Sequence, residues 1–584
     1  MESLFNGYMT RRTSSRHTGQ PWDELFPAGA VPGGNDVREP YRDMYPVLAR
    51  LDDAELRART DALAKSYLAQ GVTFDFAGEE RPFPLDVVPR VIPADDWSYL
   101  ESGVAQRVKA LEAFLADVYG PMRAIKDGVI PASIISSSKH FHRQTAGIVG
   151  ANGVRIHVAG IDVIRDEQGA FRVLEDNVRV PSGVSYVLSN RQVMAQTLPE
   201  LFASMPVRPV SDYPAKLLRA LCAAAPKDVA DPTVVVLTPG VFNSAYFEHT
   251  LLARMMGVEL VEGRDLFCSG GRVWMHTTEG STRVDVIYRR VDDEFLDPLQ
   301  FRPDSVLGAP GLMLAARLGN VTIANGVGNG IADDKLVYTY VPDLIRYYLG
   351  EEPILPNVDT WRLEEPEAFA EVLDRLDELV VKPVDGSGGK GIVVGPDASR
   401  TQLNRLRDVL LADPRGWIAQ PVVQLSTLPT LVDDGFRPRH ADLRPFAVNS
   451  GDDVWVLPGG LTRVALPEGQ LVVNSSQGGG SKDTWVLDRQ PQRPPRPPGL
   501  EALAGGALPT GVTGSEYARA ASRGGFSLVG EPGWDGNAGR GDNHERGARE
   551  WVMGSDHHTP LHTSPADEDI DARHQQQQQQ QQQD

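Results

Sequence analysis

Residues 379–394 place a glycine-rich turn between two apolar, strand-like runs, which limits the phosphate-binding folds open to this chain. The segment reads LVVKPVDGSGGKGIVV, so the first run ends in Lys382 and the second begins after Gly391. Glycines let backbone N–H groups approach an anion closely, and consecutive amides form an anion-binding nest. Glycine follows Lys390 where a Walker A motif needs serine or threonine, and a strand follows where that motif needs a helix. The segment predicts either a phosphate-binding hairpin outside the P-loop fold or a plain glycine-rich hairpin.

Other segments carry residues that could join this turn around a nucleotide. The candidates within the turn are Gly386, Ser387, Gly388, Gly389, Lys390 and Gly391. Upstream, Lys335 starts a helical pattern, a position where a lysine is more often a surface residue. Downstream, residues 417–422 (WIAQPV) form an apolar strand that breaks at proline, and the backbone around Gln420 could hydrogen-bond an adenine edge.

Residues 160–177 (GIDVIRDEQGAFRVLEDN) predict a β-hairpin, because two β-prone runs flank the turn-forming DEQG. With the turn centred between its last two residues, Asp162 lies opposite Glu175, and Asn177 shares the face of Glu175. Opposed carboxylates destabilise a sheet. However, two carboxylates and an amide oxygen suit Mg²⁺ and leave positions for phosphate oxygens. The alternative is a solvent-facing hairpin, and a register shift of one residue would separate these side chains.

The rest of the chain alternates strand-like and helical patterns. The strand-like runs are residues 154–164, 171–174, 233–237, 284–288, 379–384, 391–394 and 454–457. The helical patterns are residues 45–70, with Asp53 as a candidate N-cap, and residues 103–119, 336–349 and 367–377. Mixed strands and helices of this kind indicate an α/β or α+β enzyme.

Charge and composition exclude several classes of partner. The formal net charge of −20 opposes binding to nucleic acid or to an anionic membrane surface. The two cysteines, Cys222 and Cys268, lack metal-ligand neighbours at short spacing, so we expect neither a disulfide scaffold nor a zinc site. The N-terminus does not resemble a signal peptide, and no stretch approaches ~20 consecutive apolar residues. We therefore expect a cytoplasmic protein that binds no nucleic acid and no membrane.

The composition changes after about residue 487. A proline cluster begins at residue 491, a segment rich in Gly, Arg and Asp follows, and residues 575–583 are all glutamine. Such a segment buries too little apolar surface to offset the entropy lost on ordering, which predicts disorder. The tail is either an inert extension or a binding segment for a protein partner.

In this order, the segments resemble the circularly permuted ATP-grasp family, in which the metal-binding hairpin precedes the phosphate-binding half. The resemblance runs from about Asp23 to Leu487. It includes three further motifs, SSSKHFHR at 136–143, YRRVDD at 288–293 and NSSQGGG at 474–480. The hairpin also resembles the equivalent part of glutathionylspermidine synthetase, a carboxylate–amine ligase.

The resemblance implies an α+β chain with an ATP-grasp fold in circularly permuted order, made of mixed sheets with helices and followed by a disordered C-terminal tail. We expect four parts along the chain. They are a flexible N-terminus (1–20), an N-terminal helical region (21–130), a circularly permuted ATP-grasp core (131–490) and a disordered low-complexity tail (491–584).

The resemblance also implies roles for individual residues. The implied Mg²⁺ ligands are Asp162, Glu175 and Asn177. The implied ATP contacts are Lys335, Lys382, the loop 386–391, Gln420 and Arg444, the last of which could equally form a structural salt bridge. The candidates for binding an acyl phosphate or a substrate carboxylate are Arg143, Arg290 and Arg463, each of which could instead be a structural ion pair.

The implied activity is a Mg²⁺-dependent ligase reaction in which ATP phosphorylates a carboxylate and an amine then attacks the acyl phosphate. Carboxylate and amine substrates could be small molecules or peptides. Two alternatives remain at this point: a kinase or phosphotransferase that stops after phosphoryl transfer, and a nucleotide-binding assembly module without turnover.

Overall fold

The structure is a computed structural model. It describes residues 4–5, 8, 21–30, 36–76, 79–385, 391–471, 473, 479–489 and 565–581. Residue contacts divide the chain into two compact units, residues 1–489 with 567–584, and residues 490–566. Apart from residues 565 and 566, the second unit lies outside the described residues.

Helices and strands alternate along the described chain. The α-helices are α1 (Tyr45–Leu48), α2 (Asp53–Gln70), α3 (Ala94–Val118), α4 (Arg123–Lys126), α5 (Ala132–Ser137), α6 (Val184–Thr197), α7 (Pro199–Ser204), α8 (Tyr213–Ala223), α9 (Tyr246–Met256), α10 (Leu312–Arg317), α11 (Lys335–Leu349), α12 (Pro366–Asp374), α13 (Arg400–Ala412) and α14 (Pro565–Gln580). Short 3-10 turns occur at Glu39–Tyr41, Arg143–Thr145, Gly263–Asp265, Asp293–Phe295, Asn329–Ala332, Gly395–Asp397 and Pro414–Gly416.

The strands form several sheets. They are β1 (Thr73–Phe76), β2 (Glu79–Pro82), β3 (Leu85–Ile92), β4 (Val158–Arg165), β5 (Phe171–Asn177), β6 (Val234–Leu237), β7 (Glu259–Val261), β8 (Leu266–Ser269), β9 (Arg272–Thr277), β10 (Gly280–Val284), β11 (Val286–Arg289), β12 (Thr322–Ala324), β13 (Trp361–Arg362), β14 (Leu379–Pro383), β15 (Val393–Val394), β16 (Trp417–Pro421), β17 (Thr427–Val432), β18 (Gly435–His440), β19 (Asp442–Asn449), β20 (Val454–Val464) and β21 (Gly480–Val486).

A six-stranded sheet in the order β3-β21-β20-β19-β4-β5 lies at the centre. Strand β3 runs parallel to β21, and the other neighbouring pairs are antiparallel. Because side chains alternate across a strand, Val158 belongs to the hydrophobic cluster that includes residues of α2 and α6, whereas Ile161 belongs to the cluster that includes residues of α3 and α11. Both faces are thus covered by helices, which makes β4 a fully buried strand and fixes the position of its polar end.

Two further sheets approach one end of the central sheet. The parallel sheet β12-β11-β6-β7 packs with α8 and α9, and the smaller sheet β13-β16-β14-β15 packs with α12 and α13. The fold class is therefore α+β with mixed sheets and helices, as expected. No helix in the described part of the chain has the length and apolar character needed to cross a lipid bilayer.

Several element boundaries differ from the predictions. The helical pattern at 45–70 divides into α1 and α2, and the N-cap of α2 is Asp52, whose side chain accepts from the Glu55 N–H at 2.7 Å. The predicted N-cap was Asp53, the next residue. Either aspartate could offer a carboxylate to the N–H groups of the first turn, so the sequence alone does not distinguish them. The strand-like run at 284–288 also divides, between the end of β10 and the start of β11.

The expected division into four parts stays a prediction, and the described residues near both termini add three observations. Phe5 and Tyr8, inside the segment expected to be flexible, are buried against Phe26, because aromatic side chains bury a large apolar area. The region 21–130 also contains β1–β3, and β3 belongs to the central sheet. Within the tail expected to be disordered, α14 is helical, and its glutamines are good helix formers.

Candidate active site

A cavity of about 470 Å³ lies where the central, parallel and small sheets approach one another. The candidate residues that line it are Asp162, Glu175, Asn177, Arg290, Lys335, Lys382, Gln420, Arg444 and Arg463. Arg143 does not line it, because its side chain is exposed at the start of a 3-10 turn. Residues 386–390 of the glycine loop lie outside the described residues, and Gly391 begins the return toward β15. The fold thus gathers residues separated by up to about three hundred positions in the sequence.

The predicted hairpin forms from β4 and β5, with Asp162 opposite Glu175. Its turn is centred on Gln168, half a residue from the predicted centre. A β-bulge at Leu174 shifts the register by one residue between the turn and the carboxylate pair. The predicted pairing is confirmed, but it depends on an extra residue that strand alternation does not reveal.

Asp162 is held between two arginines. Arg444 donates to both of its carboxylate oxygens, and Arg463 Nη2 donates to its Oδ2 at 2.8 Å. Burial acts to raise the pKa of Asp162, but the two guanidinium groups outweigh burial and hold the pKa at about 2. Both oxygens of Asp162 therefore accept hydrogen bonds from arginine, and its role as a Mg²⁺ ligand stays a prediction. Arg444 and Arg463 form buried ion pairs, which was the alternative interpretation for each.

Glu175 and Asn177 offer the oxygen ligands that fit a divalent cation. They lie two residues apart on β5, and both line the cavity. Asn177 would offer its carboxamide oxygen, because its side-chain nitrogen, which is buried without a hydrogen-bond partner, is a donor and does not bind a cation. Mg²⁺ typically binds one or two carboxylates together with phosphate oxygens and water, and this donor set suits it. The described residues contain no cluster of three or more His, Cys, Asp or Glu side chains placed to hold a metal.

Two lysines lie beside Glu175. Lys335 begins α11, and its Nζ is 3.0 Å from Glu175 Oε1. Lys382 on β14 donates to Gln420 Oε1 at 2.6 Å, so the Gln420 side chain orients this lysine. Burial lowers the pKa of Lys382 to about 8, and nearby Glu175 opposes that shift. Two cationic groups therefore converge on one point of the cavity.

The cavity continues past the lysines into an apolar recess formed mainly by the small sheet. Its walls include Val358, Val380, Ile392, Val394, Ile418 and Leu471. Sites for small molecules are mostly apolar, with a few polar groups that fix orientation. A nucleotide whose flat base lay in this recess would direct its phosphates toward the two lysines.

The opposite end of the cavity is polar, and several of its residues were not selected from the sequence: Arg179, Asn243, Ser244, Asp292 and Asp333. Arg179 Nε lies 3.6 Å from Asp292 Oδ1 and 3.7 Å from Asp333 Oδ2. Burial raises the pKa of Asp333 to about 7, although Arg179 acts to lower it. The missed signal was position: Asn243 and Ser244 follow β6, Asp292 follows β11, and ligands bind at the carboxyl ends of parallel strands.

Arg290 lines this polar end and is also part of a buried ion pair. Its Nη2 lies 3.1 Å from Glu248 Oε1, and its Nη1 donates to the Tyr288 hydroxyl at 3.2 Å. Arg290 Nε is buried and makes no hydrogen bond. The ion-pair interpretation of Arg290 is confirmed, and its role in binding an acyl phosphate or a substrate carboxylate stays a prediction.

Comparison with known proteins assigns the fold. The family described as "Circularly permuted ATP-grasp type 2" matches residues 89–465, more than half of the chain. This chain belongs to the circularly permuted ATP-grasp type 2 family. A solved structure of a glutathione synthetase-like effector from Globodera pallida has a TM-score of 0.50 and 9% sequence identity, and covers 75% of this chain and 98% of the effector. At that identity, the likeness concerns the fold alone.

The names of two proteins that are similar in sequence differ: one name states no activity, and the other states a ligase activity. An uncharacterized protein of Mycobacterium tuberculosis (strain ATCC 25618 / H37Rv) is 61% identical over 486 residues, which are 83% of this ATP-grasp chain and 87% of the relative. A Frankia casuarinae protein named "Putative glutamate--cysteine ligase 2-2" is 45% identical over 483 residues. That match covers 82% of this chain and 55% of the Frankia protein.

Proposed function

We propose that this ATP-grasp protein is an ATP-dependent ligase that joins a carboxylate to an amine, with Mg²⁺ at the phosphates. The observation that carries the proposal is the single cavity with an apolar recess, a centre rich in lysine and arginine, and a polar end with buried carboxylates. The name of the Frankia casuarinae relative, at 45% identity, supports the same reaction class. A Frankia alni protein named "Putative glutamate--cysteine ligase 2-3" is 47% identical and supports it as well. Carboxylate and amine substrates are small molecules or peptides in this proposal.

The apolar recess holds the adenine base, and Lys335 and Lys382 contact the phosphates. Both lysines are charge partners of Glu175, so an incoming triphosphate meets cationic groups that the protein already holds in place. Preorganised charge of this kind stabilises a transferring phosphoryl group without reorganisation during the reaction. We also propose that the loop 386–391 covers the phosphates.

Glu175 and Asn177 would hold Mg²⁺, with Asp162 as the third predicted ligand, and the ion would offset the charge on the phosphate oxygens. Asp162 keeps Arg444 and Arg463 pointed at the centre of the cavity. Their planar guanidinium groups suit the oxygens of a phosphate or of an acyl phosphate. The γ-phosphoryl group passes to a carboxylate oxygen of the substrate, and ADP leaves.

The polar end binds the amine substrate. Asp292 Oδ1 is buried and makes no hydrogen bond, so an ammonium group entering there gains an acceptor. A nearby carboxylate, Asp292 or Asp333, accepts one proton from the ammonium group and frees the nitrogen lone pair. The neutral amine then attacks the acyl carbon, and the leaving phosphate carries away the second proton.

Product analysis tests the proposal against its alternatives. The protein is incubated with Mg-ATP and pools of amino acids and small peptides, and ADP, phosphate and new amides are measured. A ligase releases ADP and free phosphate in proportion to the amide formed. A stable phosphorylated product would indicate a kinase or phosphotransferase, and nucleotide binding without ADP release would indicate an assembly module.

A further inference from the structure

The last helix, α14, contacts the rim of the cavity through two adjacent glutamines. Gln577 and Gln578 are each 2% exposed, whereas Gln575 and Gln576 in the same run are exposed. Gln581, just after the helix, lines the cavity itself. Identical side chains within one run thus have opposite environments, which makes the contact specific to one face of the helix.

Gln577 makes two hydrogen bonds to the backbone of residues 304–306. Its Oε1 accepts from the Val306 N–H at 2.9 Å, and its Nε2 donates to the Asp304 carbonyl at 2.7 Å. One carboxamide supplies both an acceptor and a donor, whereas a carboxylate supplies acceptors alone. Residues 304–306 therefore select glutamine over glutamate at this position.

Gln578 contacts residues 240–242, which directly precede Asn243 at the polar end of the cavity. Its Oε1 accepts from the Phe242 N–H at 3.0 Å. Gly240 has a φ of +120°, and a Cβ built at that residue would lie 2.5 Å from Gln578 Nε2. The close approach therefore needs glycine at residue 240. Asn243, which lines the cavity, is one residue from this contact.

We propose that residues 240–242 and 304–306 form a docking surface for a glutamine-bearing helix. In this chain the occupant is its own segment 574–581, and the docked helix narrows the entrance to the polar end. The effect on turnover rests on the proposed ligase function, whereas the docking itself does not.

Amide hydrogen exchange in the full-length protein tests the docking. The double variant Gln577→Ala/Gln578→Ala should speed exchange at the Phe242 and Val306 amides by roughly tenfold, because each amide loses its acceptor. The matched control, Gln575→Ala/Gln576→Ala, changes exposed residues of the same helix and should exchange like the unaltered protein. Unchanged exchange in the first variant would overturn the docking surface.

A charge substitution tests the selection of a carboxamide. Gln577→Glu keeps the length of the side chain but removes the donor to the Asp304 carbonyl, so exchange at Val306 should again quicken. Gln576→Glu adds the same charge at an exposed position and should have no effect. If protection at Val306 survives Gln577→Glu, carboxamide selection is refuted. Protection that disappears on dilution would refute the chain's own segment as occupant and indicate a second copy.

Turnover is then measured with Mg-ATP and a pool of the common amino acids. The undocked variant should release ADP faster than the control at low amine concentration, because entry to the polar end is wider. Faster amide exchange with equal turnover would overturn the narrowing role. Absence of ADP release in every variant would count against the proposed ligase function, while the exchange data would still decide the docking.

Discussion

Asp162 links three parts of the chain through one buried carboxylate. It accepts from Arg444 on β19 and Arg463 on β20, and its neighbour in this network is Asp442. Removing one charged side chain from a buried network leaves its partners buried without a counter-charge. The resulting loss of folding stability exceeds the net stability that the ion pair contributes. Asp162 is thus a positioning residue for two arginines in the proposed reaction.

Substituting Asp162→Asn should lower the free energy of unfolding by about 3–5 kcal/mol, because two guanidinium groups lose a buried counter-charge. ATP turnover should fall with it. Urea unfolding measures the first effect, with Asp452→Asn, an exposed aspartate, as control. Equal unfolding midpoints for both variants would contradict the role assigned to Asp162.

Substituting Lys382→Ala should weaken ATP binding by roughly tenfold to a hundredfold, as expected for one charge-assisted hydrogen bond to phosphate. Isothermal titration calorimetry measures the affinity. Lys109→Ala removes an exposed lysine on α3 and should leave the affinity unchanged. The same affinity in Lys382→Ala would remove this residue from the phosphate site.

Asp333 predicts a pH dependence of stability. Burial raises its pKa to about 7 in the folded protein, above the ordinary value, so the folded state holds this proton over a pH range where the unfolded state has released it. The stability that this proton contributes is present at low pH and is lost as the pH rises through 7. The variant Asp333→Asn should therefore gain more stability over the unaltered protein at pH 8 than at pH 5.5. Thermal unfolding at both values checks the sign, and an equal difference would refute it.

At the scale of elements, the hairpin β4–β5 shows how a register depends on more than alternation. The bulge at Leu174 puts Glu175 opposite Asp162, although the turn itself is centred on Gln168. A hairpin without the bulge and with the same turn would place Leu174 opposite Asp162. The bulge therefore decides which side chains face the cavity.

The hairpin prediction is tested by Glu175→Ala, which should abolish Mg²⁺-dependent ATP turnover while the fold is retained. The retained fold is checked by circular dichroism. Glu167→Ala removes an exposed glutamate from the turn of the same hairpin and should keep normal turnover. Normal turnover in Glu175→Ala would remove the proposed metal ligand.

For the whole molecule, the hydrophobic clusters consist of residues up to Trp485 and Val486 among those described. Helix α14 contacts the folded unit through side-chain hydrogen bonds of glutamines. Truncation after Arg489 should therefore lower the Tm by no more than about 3 °C, measured by scanning calorimetry. A larger fall would show that the removed segment contributes to the core.

Much of the fold could be predicted because the signals are local. The two strands that flank the glycine-rich segment, the strand at 234–237 and the helix that begins at Lys335 follow from periodicity within short windows. Glu175 and Asn177 were selected from the hairpin and Lys382 from the glycine-rich segment, whereas Lys335 was selected through the family resemblance. All four line the cavity. Arg143 was expected in the substrate site but does not line the cavity. Its sequence motif does not indicate which of its residues point toward the cavity.

The sequence by itself determined the order of the elements and the absence of a P-loop motif, since these depend on neighbouring residues, whereas the bulge at Leu174 decided which residue lies opposite Asp162. Tertiary structure decided that Asp162 forms ion pairs with two arginines, which lie 282 and 301 residues away along the chain. It also decided that Asp292 and Asp333 share one arginine and that two glutamines of a uniform run are buried. The physical reason is that burial and ion pairing depend on which distant surfaces meet, and a local pattern does not contain that information.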